Sequence, residues 1–371
     1  MPTQLLIPPH STSTSTVAVH SVQSSSASQL TMSPPKIFLT GASGYVGGDI
    51  LHEILSSHPD WENSITVLLR NRSYEAPFRA KYPNLNLFFA THDDTTAIAG
   101  EVAKNDVVVH TAISSDHLPS AKAIVQGLKT RGGGVYIHAS GTDVLLDPRA
   151  SLQPPKDGVH VIDDWEGISE ITSLPDDAPH RDVDKFVLAS GSDSVKTAII
   201  CPSTIYGTGR GLVSQRSNQI PGLTRLILQG KKGVQLADGK TFWNSVHIYD
   251  VSRLFLALIE DALSKTGTAT WNEEGYYLVE SATYVWGNVS KRITKEAYDL
   301  GLIPSEEVTV LDMDRRSEMA EAGRPIINYA VTAKAVRARK LLGWIPIEGS
   351  LEDDIPDVVR AEARALHLLR G

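Results

Sequence analysis

Short apolar runs alternate with stretches of helical periodicity along most of the sequence after Lys36. The strand-like runs are Lys36–Thr40, Ser64–Leu69, Leu85–Ala90, Asp106–His110, Gly134–Ala139 and Thr197–Cys201. Between them, segments such as Val46–Ser57 and Ser120–Thr130 repeat apolar residues every three to four positions, as an amphipathic helix does. Strands that alternate with helices predict an α/β fold with a parallel, doubly wound sheet of the Rossmann type.

The regular alternation weakens after Cys201, although helical periodicity persists. We predict helices over Val251–Leu263, with Asp250 as the N-cap, and over Thr332–Leu342 and Leu351–Leu369. The sequence therefore predicts a dinucleotide-binding Rossmann domain over residues 36–208. Residues 209–371 are expected to form a mixed portion with a small substrate lobe that is interleaved with the Rossmann core.

The first residues differ in composition from the rest. Met1–Pro35 is rich in Ser and Thr and contains no Lys, Arg, Asp or Glu, which predicts a disordered segment. It lacks the basic region of a secretory signal and the arginines of a transit peptide. A protein that started at Met32 would have an ordinary enzyme N-terminus, so we expect residues 1–31 to be dispensable.

Composition excludes several classes of partner. Apolar residues make up 41% of the sequence and charged residues 21%, which is typical of a globular protein. The net charge of −8 and the pI near 5.8 argue against nucleic acid or an anionic membrane as the main partner. No apolar run approaches the roughly 18 residues of a membrane span. The single cysteine, Cys201, is expected to be buried in a strand, and we expect a cytoplasmic protein.

The strongest motif is the segment Thr40-Gly41-Ala42-Ser43-Gly44-Tyr45-Val46-Gly47, between a predicted strand and a predicted helix. Gly41 permits a tight turn, Gly44 lets backbone N–H groups approach a pyrophosphate, and Gly47 lets the helix pack closely on the sheet. The N-terminus of the helix favours a negatively charged phosphate. We therefore predict that Gly41, Ser43, Gly44, Tyr45, Val46 and Gly47 bind a nicotinamide dinucleotide.

Residues after the second strand favour NADP over NAD. An acid at this point would bind the ribose 2′-hydroxyl of NAD, whereas the sequence has Leu69-Arg70-Asn71-Arg72. Arg70 suits a 2′-phosphate through charge-assisted hydrogen bonds, unless the two arginines are ordinary surface residues. Asp93 follows the third strand, and Asp93-Asp94 forms a turn or helix cap before Thr95 unless it contacts the adenine of the cofactor, as the family resemblance described next implies.

The glycine spacing resembles that of the extended short-chain dehydrogenase/reductase family, which includes NAD-dependent epimerases and dehydratases. Other segments are similar to its landmarks: Asp106–Ala112, Tyr136–Ser140, Cys201–Gly207, Val246–Val251 and Leu341–Pro346. The resemblance implies that Ala112 lies beside the cofactor ribose and that Pro202 and Ser203 lie beside the nicotinamide. It also implies a small-molecule substrate, a catalytic serine at Ser140 and a homodimer.

The catalytic Tyr-x-x-x-Lys motif of that family is absent, since no tyrosine is followed four residues later by lysine. Residues 179–187 lie where the family has this motif. Within them, Lys185 aligns with the family lysine if Arg181 replaces the tyrosine. In the other register, His180 replaces the tyrosine and Asp184 the lysine. Arginine cannot donate a proton at neutral pH, whereas histidine can.

From these registers we predict His180 as the acid/base, Ser140 as the residue that orients the substrate and Lys185 as a cofactor anchor. Thr142 is a substitute for Ser140 if the register slips. The competing interpretation is that Arg181–Asp184 is a surface salt-bridge face.

Other candidate residues have structural interpretations. Tyr206 is expected to be structural, and His247 and Tyr249 to hold a loop on the cofactor side. Trp243 and Trp271 either line a substrate pocket or pack in the core. The sequence shows no metal-binding pattern and no Gly-x-Ser-x-Gly hydrolase motif.

Together these features predict an NADP-dependent oxidoreductase that acts on a small carbonyl or hydroxyl compound with a non-standard proton donor. One alternative is a protein that binds NADP as a sensor or scaffold without catalysis, which the missing tyrosine would explain. The other alternative is an epimerase or dehydratase of the nucleotide-sugar type, although those enzymes usually need the same tyrosine.

Overall fold

A seven-stranded parallel sheet forms the centre of the protein in a computed structural model that describes residues 34–146, 160–311 and 331–369. In chain order the strands are β1 (Ile37–Thr40), β2 (Ile65–Leu69), β3 (Asn86–Phe89), β4 (Val107–His110), β5 (Gly134–Ala139), β6 (His160–Asp163), β7 (Val195–Pro202), β8 (Thr204–Tyr206), β9 (Gly233–Leu236), β10 (Phe242–His247), β11 (Tyr276–Val279), β12 (Ala282–Val285), β13 (Val308–Leu311) and β14 (Val331–Lys334). Residues 1–33, most of the segment predicted to be disordered, lie outside the described residues.

The order of strands in the central sheet is β3-β2-β1-β4-β5-β7-β11, and every neighbouring pair is parallel. The order reverses between β1 and β4, so the connections leave the sheet in opposite directions there. In open parallel sheets, this reversal opens a crevice at the carboxyl ends of the strands where ligands bind. The predicted fold class, a doubly wound Rossmann sheet, is confirmed.

Helices cover both faces of this sheet. They are α1 (Tyr45–Ser57), α2 (Glu75–Lys81), α3 (Thr95–Val102), α4 (Leu118–Arg131), α5 (Ile168–Thr172), α6 (Arg181–Ala189), α7 (Gln219–Gly230), α8 (Ile248–Leu263), α9 (Trp286–Asp299), α10 (Arg337–Leu342) and α11 (Leu351–Ala365). Because side chains of a strand alternate between faces, Ile37 and Leu39 of β1 pack with α1 and α8, whereas Phe38 packs with α3 and α4. Apolar residues on both faces explain why these strands read as continuous apolar runs.

A third apolar cluster lies among α7, α9 and α11. It includes Ile227 of α7, Ile293 of α9 and Ile355 of α11, together with Trp243 of β10. Smaller sheets accompany it, in the order β12-β10-β8 and with the pair β13-β9, while β14 pairs with β6. Within the described ranges, no helix is long and apolar enough to span a membrane.

Two of the predicted helices differ from the structure at their starts. Residues 331–334 form β14, parallel to β6, and the helix begins only at Arg337, so the prediction of a helix from Thr332 is wrong. Asp250 is not an N-cap, because α8 begins at Ile248 and the imidazole of His247 accepts the N–H of Tyr249 (3.2 Å). The burial predicted for Cys201 is confirmed.

Candidate active site

The glycine-rich segment between β1 and α1 forms a tight turn that leaves no room for side chains. Gly41 has φ of +83°, and a Cβ placed there would lie 2.3 Å from Thr111 Oγ1. A Cβ on Gly47 would lie 2.4 Å from the carbonyl oxygen of Gly41. No side chain caps α1, which begins after Gly44, so its first N–H groups stay available for an anion.

A cavity of about 450 Å³ lies against this turn at the carboxyl ends of β1, β2 and β4. Most of the predicted cofactor-binding residues line it: Gly41, Ser43, Gly44, Tyr45, Val46, Gly47, Arg70 and Ala112. The exclusion of side chains from the turn and the uncapped helix N-terminus are what a pyrophosphate requires. The residues present therefore fit a dinucleotide.

The two arginines after β2 have different surroundings. Arg70 is exposed and lines both this cavity and an adjoining recess that includes Ser43 and Gly44. The guanidinium group of Arg72 lies over the ring of Phe89, 4.4 Å from its centroid. Arg70 is thus the arginine that faces both the glycine turn and the adjoining recess.

Asp93, which was predicted to bind the cofactor, does not line the cavity and contacts two histidines instead. Its carboxylate lies 3.1 Å from His117 Nε2 and 3.4 Å from His92 Nε2, and His92 lines the cavity in its place. These groups lie close enough to hold a metal ion. However, His117 Nδ1 accepts the N–H of Ser120 (3.2 Å), so Nε2 carries the proton and donates it to Asp93. Asp94 makes the turn, accepting the N–H of Thr91 (2.7 Å).

A larger cavity of about 890 Å³ adjoins the first. The two cavities share Tyr45, Val46, Arg216 and Asn218, so the larger one continues from the glycine turn toward α7. Its wall includes Ser140 and His180 as well as the predicted Pro202 and Ser203. The sequence predictions for these four residues thus converge on one cavity.

His180 lies at the N-terminus of α6 with its ring held by a carboxylate. Its Nδ1 lies 2.7 Å from Asp116 Oδ1, and only 11% of its side chain is exposed. The other ring nitrogen, Nε2, lies beside Gly141, 3.6 Å from the position of a Cβ there. The backbone of His180 is in the left-handed region (φ 64°), an unfavourable conformation for a non-glycine residue. Such strain is common at functional sites.

The contact with Asp116 gives His180 the arrangement of a general acid/base. A carboxylate that accepts the Nδ1 proton fixes the tautomer and leaves Nε2 to exchange a proton. Asp116 was not identified from the sequence, because 64 positions separate it from His180 and no spacing relates the two.

Ser140 follows β5, and its hydroxyl donates to a buried carboxylate. The acceptor is Asp184 Oδ2 (2.9 Å), which also accepts the hydroxyl proton of Tyr276 (2.7 Å). Burial raises the pKa of Asp184 to about 6, although both hydrogen bonds act in the opposite direction. The sequence indicated Asp184 only as the residue that takes the position of the family lysine in the second of the two alignments. Thr142, the substitute for Ser140, instead accepts the indole N–H of Trp243 (3.2 Å).

Lys185 points away from both cavities. Its ammonium group pairs with Asp176 (2.7 Å), and 56% of its side chain is exposed. Consecutive residues of a helix point about 100° apart, so a helix that turns Asp184 inward turns Lys185 toward solvent. The structure therefore provides no contact for the predicted role of Lys185 as a cofactor anchor. The surface salt-bridge interpretation also fails, because Arg181 and Asp184 are both buried.

The remaining candidates have structural contacts. Tyr206 is buried and its hydroxyl donates to the carbonyl oxygen of Gly349. Trp243 is buried in the third apolar cluster, and Trp271 packs at the edge of the first. His247 caps α8 and packs against Tyr249.

Two arginines on the wall of the larger cavity were missed by the sequence analysis. Arg216 and Arg225 each direct Nε toward one oxygen of Glu362, a buried residue of α11. Two positive charges share the one negative charge of Glu362, and Asp143 places a further carboxylate on the same wall. No local motif could reveal this cluster, because Glu362 lies more than a hundred positions away from both arginines.

Comparisons with known proteins agree with this architecture. No family model matches the sequence. The protein is 31% identical to the oxidase ucsJ of an Acremonium species, over 90% of this chain and 99% of that protein. It is 23% identical to an uncharacterised protein of Schizosaccharomyces pombe, over 86% of this chain and 98% of that protein.

Solved structures extend the similarity to the fold. The UDP-glucose 4-epimerase of Thermotoga maritima matches with a TM-score of 0.61 and 15% identity, over 89% of this chain and 99% of that chain. The dTDP-glucose 4,6-dehydratase DesIV of Streptomyces venezuelae, solved with NAD and TYD bound, has a TM-score of 0.61 and 17% identity, over 89% and 97% of the two chains.

Proposed function

The protein belongs to the extended short-chain dehydrogenase/reductase family of the NAD-dependent epimerase/dehydratase type, and on this basis we propose that it is an NADP-dependent oxidoreductase of a small carbonyl or hydroxyl compound. The observation that carries the proposal is the wall of the larger cavity. There Ser140 and the Asp116-bound His180 lie in a space that continues to the glycine turn.

The dinucleotide would lie along the carboxyl ends of the strands. The turn from Gly41 to Gly47 would bind its pyrophosphate, and Arg70 would bind the 2′-phosphate that distinguishes NADP from NAD. Pro202 and Ser203 would lie on the nicotinamide side. When bound, the nicotinamide supplies or accepts the hydride at the substrate carbon.

The side chains on the cavity wall would handle the proton. The substrate oxygen would accept a hydrogen bond from the hydroxyl of Ser140, which fixes its orientation. His180 would donate a proton to this oxygen from Nε2 during reduction and accept one during oxidation, while Asp116 holds the ring. His180 would thus take the place of the tyrosine of the Tyr-x-x-x-Lys motif, which is absent from the sequence.

We expect Arg70→Ala to weaken NADPH binding about tenfold and to leave NADH binding unchanged. One charge-assisted hydrogen bond contributes about 1.5–3 kcal/mol, and the exposure of Arg70 favours the lower value. The measurement is titration of nicotinamide fluorescence. Arg292→Ala, which removes an exposed arginine of α9 outside both cavity linings, is the control. Equal loss of NADPH and NADH affinity would contradict NADP selectivity. If the original protein bound neither dinucleotide, the oxidoreductase proposal would be wrong.

Arg216 and Arg225, the two arginines that line the larger cavity, favour substrates that carry a carboxylate or phosphate group. In a screen of carbonyl compounds, we expect free acids to have a kcat/KM at least about tenfold above that of their methyl esters, the value of one charge-assisted hydrogen bond. Arg225→Gln should reduce this ratio. Preference for the esters would contradict this substrate class without affecting the cofactor assignment.

A further inference from the structure

A buried carboxylate lies directly behind the hydroxyl group that would orient the substrate. Ser140 lines the larger cavity, and its Oγ donates to Asp184 Oδ2 over 2.9 Å. Asp184 lies on the buried face of α6, is 0% exposed and does not line the cavity. Any influence of Asp184 on a bound substrate must therefore act through Ser140.

The hydroxyl of Ser140 has one proton, and this limits the hydrogen bonds that it can form. A serine hydroxyl donates one hydrogen bond and accepts others through the lone pairs of its oxygen. In the structure the proton of Ser140 is directed at Asp184, so only the lone pairs of Oγ remain for a molecule in the cavity. A carbonyl oxygen has no proton to donate to these lone pairs. Ser140 can therefore hold a carbonyl substrate only when its proton turns away from Asp184.

The two oxygens of Asp184 have unequal surroundings. Oδ2 also accepts the hydroxyl proton of Tyr276 (2.7 Å), whereas Oδ1 is buried without a hydrogen-bond partner among the described residues. His138 Nε2 lies 3.8 Å from Oδ1, which is beyond hydrogen-bond distance. Because an unpartnered buried oxygen costs more in a charged group than in a neutral one, this environment favours the protonated carboxyl group.

The charge of Asp184 depends on groups from several elements. His180 and Arg181, at the start of α6, favour the charged form, as do the hydrogen bonds from Ser140 and Tyr276. Burial of the carboxyl group outweighs them and raises the pKa of Asp184 to about 6. The titratable groups that face Asp184 from the sheet are neutral, because burial raises the pKa of the tyrosines and the thiol and lowers that of the histidine: Tyr136 and His138 of β5, Cys201 of β7 and Tyr276 of β11.

We propose that Asp184 is a positioning residue whose protonation decides whether Ser140 can hold a carbonyl substrate. While Asp184 is charged, it retains the proton of Ser140, and the hydroxyl group faces the cavity only as an acceptor. When Asp184 is protonated, its carboxyl group donates to Ser140 Oγ, and the hydroxyl group is free to donate to the substrate oxygen. The use of this arrangement in catalysis rests on the proposed function.

The proposal involves a rotation of the hydroxyl group of Ser140 and no transfer of its proton to the substrate. Protonation of Asp184 is an equilibrium with the solution, so slow exchange before an assay suffices. Ser140 itself lies between Asp184 and the larger cavity, which is the side from which a proton would arrive. Reduction of a carbonyl compound should thus become less efficient as the pH rises through about 6, since the charged form of Asp184 then predominates.

Asp184→Asn tests this dependence, because an amide cannot ionise and its NH₂ group can donate to Ser140 Oγ. The measurement is kcat/KM for reduction of a carbonyl compound from the screen. We expect this variant to exceed the original protein about tenfold at about pH 8 and to equal it at about pH 5, since a charge-assisted hydrogen bond is stronger than a neutral one by roughly this factor. His180 is present in both proteins, so its titration cancels in the ratio.

Two further variants make the result specific. In the Ser140→Ala background, the Asp184→Asn substitution should leave kcat/KM unchanged at both pH values. A ratio of variant to original that does not change with pH would overturn the proposal, because a purely structural role of Asp184 predicts a loss at both. If Asp184→Asn does not fold, Tyr276→Phe replaces it. Loss of this donor favours the protonated carboxyl group, so efficient reduction should extend to higher pH, and an unchanged pH profile would overturn the proposal.

Infrared spectroscopy tests the link between Asp184 and Ser140 without cofactor or substrate. It follows the band of the protonated carboxyl group of Asp184 during a pH titration. Ser140→Ala removes a donor that favours the charged form, so the midpoint of this band should move to higher pH. Thr142→Ala is the matched control, because this nearby hydroxyl group contacts the indole of Trp243 instead and its loss should leave the midpoint in place.

An unchanged midpoint in Ser140→Ala would overturn the proposal, whatever the substrate. If the midpoint moves but no carbonyl compound is reduced, the link between Asp184 and Ser140 stands and the proposed function is wrong.

Discussion

Replacing His180 by alanine is expected to lower turnover by about 10²- to 10⁴-fold, the usual contribution of a general acid/base. The reason is that Nε2 of this ring faces the cavity while Asp116 holds Nδ1. The measurement is kcat with an NADPH-dependent substrate from the carbonyl screen. Asp116→Asn should lower kcat by a smaller factor, because the imidazole of His180 stays in place but is held less firmly in its orientation.

His160→Ala provides a matched control for this variant. His160 also pairs with a carboxylate, that of Glu170 (2.7 Å), but it is exposed and lies outside the cavity lining. Its replacement should leave kcat unchanged. The double variant Ser140→Ala/His180→Ala should lose both the hydroxyl that orients the substrate and the group that donates the proton. Unchanged turnover in the double variant would show that the assignment of these residues is wrong.

The second large effect is expected from Gly47→Ala. The added Cβ would lie 2.4 Å from both the carbonyl oxygen of Gly41 and Thr111 Oγ1, so the turn must shift. We expect the free energy of unfolding to fall by about 1–3 kcal/mol, as for other overpacked sites. NADPH affinity should fall roughly 10²-fold, equivalent to two charged hydrogen bonds of about 1.5 kcal/mol each. Chemical unfolding and fluorescence titration measure the two effects.

Gly100→Ala separates the geometry of the turn from the general effect of alanine in a helix. Gly100 lies in α3, where an added Cβ meets no atom within 4 Å. Alanine in a helix is more stable than glycine by about 0.5–1 kcal/mol, so this variant should be slightly more stable than the original protein. NADPH binding by Gly47→Ala at the original affinity would exclude the turn as the phosphate site.

The cofactor side of the protein was largely predictable because its signals are local. The strands around Gly41 were located to within one or two residues, and the turn places Arg70 and Ala112 on the same cavity as the glycines. Gly41 and Arg70 come directly after a strand, and Ala112 lies two residues after one. In a parallel sheet, all carboxyl ends lie at one edge, so knowledge of the strands alone brings these residues together.

The proton-exchanging side was less predictable because its contacts join distant segments. Asp116 reaches His180 across 64 positions, and the sequence contains no pattern that pairs them. Lys185 was assigned to the cofactor because its position near the family lysine suggested it. Which of Asp184 and Lys185 points inward depends on how α6 is rotated about its axis. The packing of its buried face determines this rotation, and the sequence of the helix alone does not reveal it.

The prediction for Thr332 failed for a related reason. Its apolar spacing suits a helix, yet residues 331–334 pair with β6 as a strand. Short segments satisfy both periodicities, and tertiary pairing then decides between them. The partner, residues 160–163, lies far away in the sequence and was not predicted as a strand.

The cluster of Arg216, Arg225 and Glu362 lies outside the central sheet. Arg225 belongs to α7 and Glu362 to α11, whose apolar faces pack in the third cluster rather than on the strands that hold the glycine turn. Arg216 lines both cavities, whereas Arg225 lines only the larger one. We therefore expect mutations of Arg225 to alter which compound is accepted without disturbing the dinucleotide site. Directed evolution of new substrate ranges should therefore begin at these two helices, since changes there leave the strands that hold the glycine turn in place.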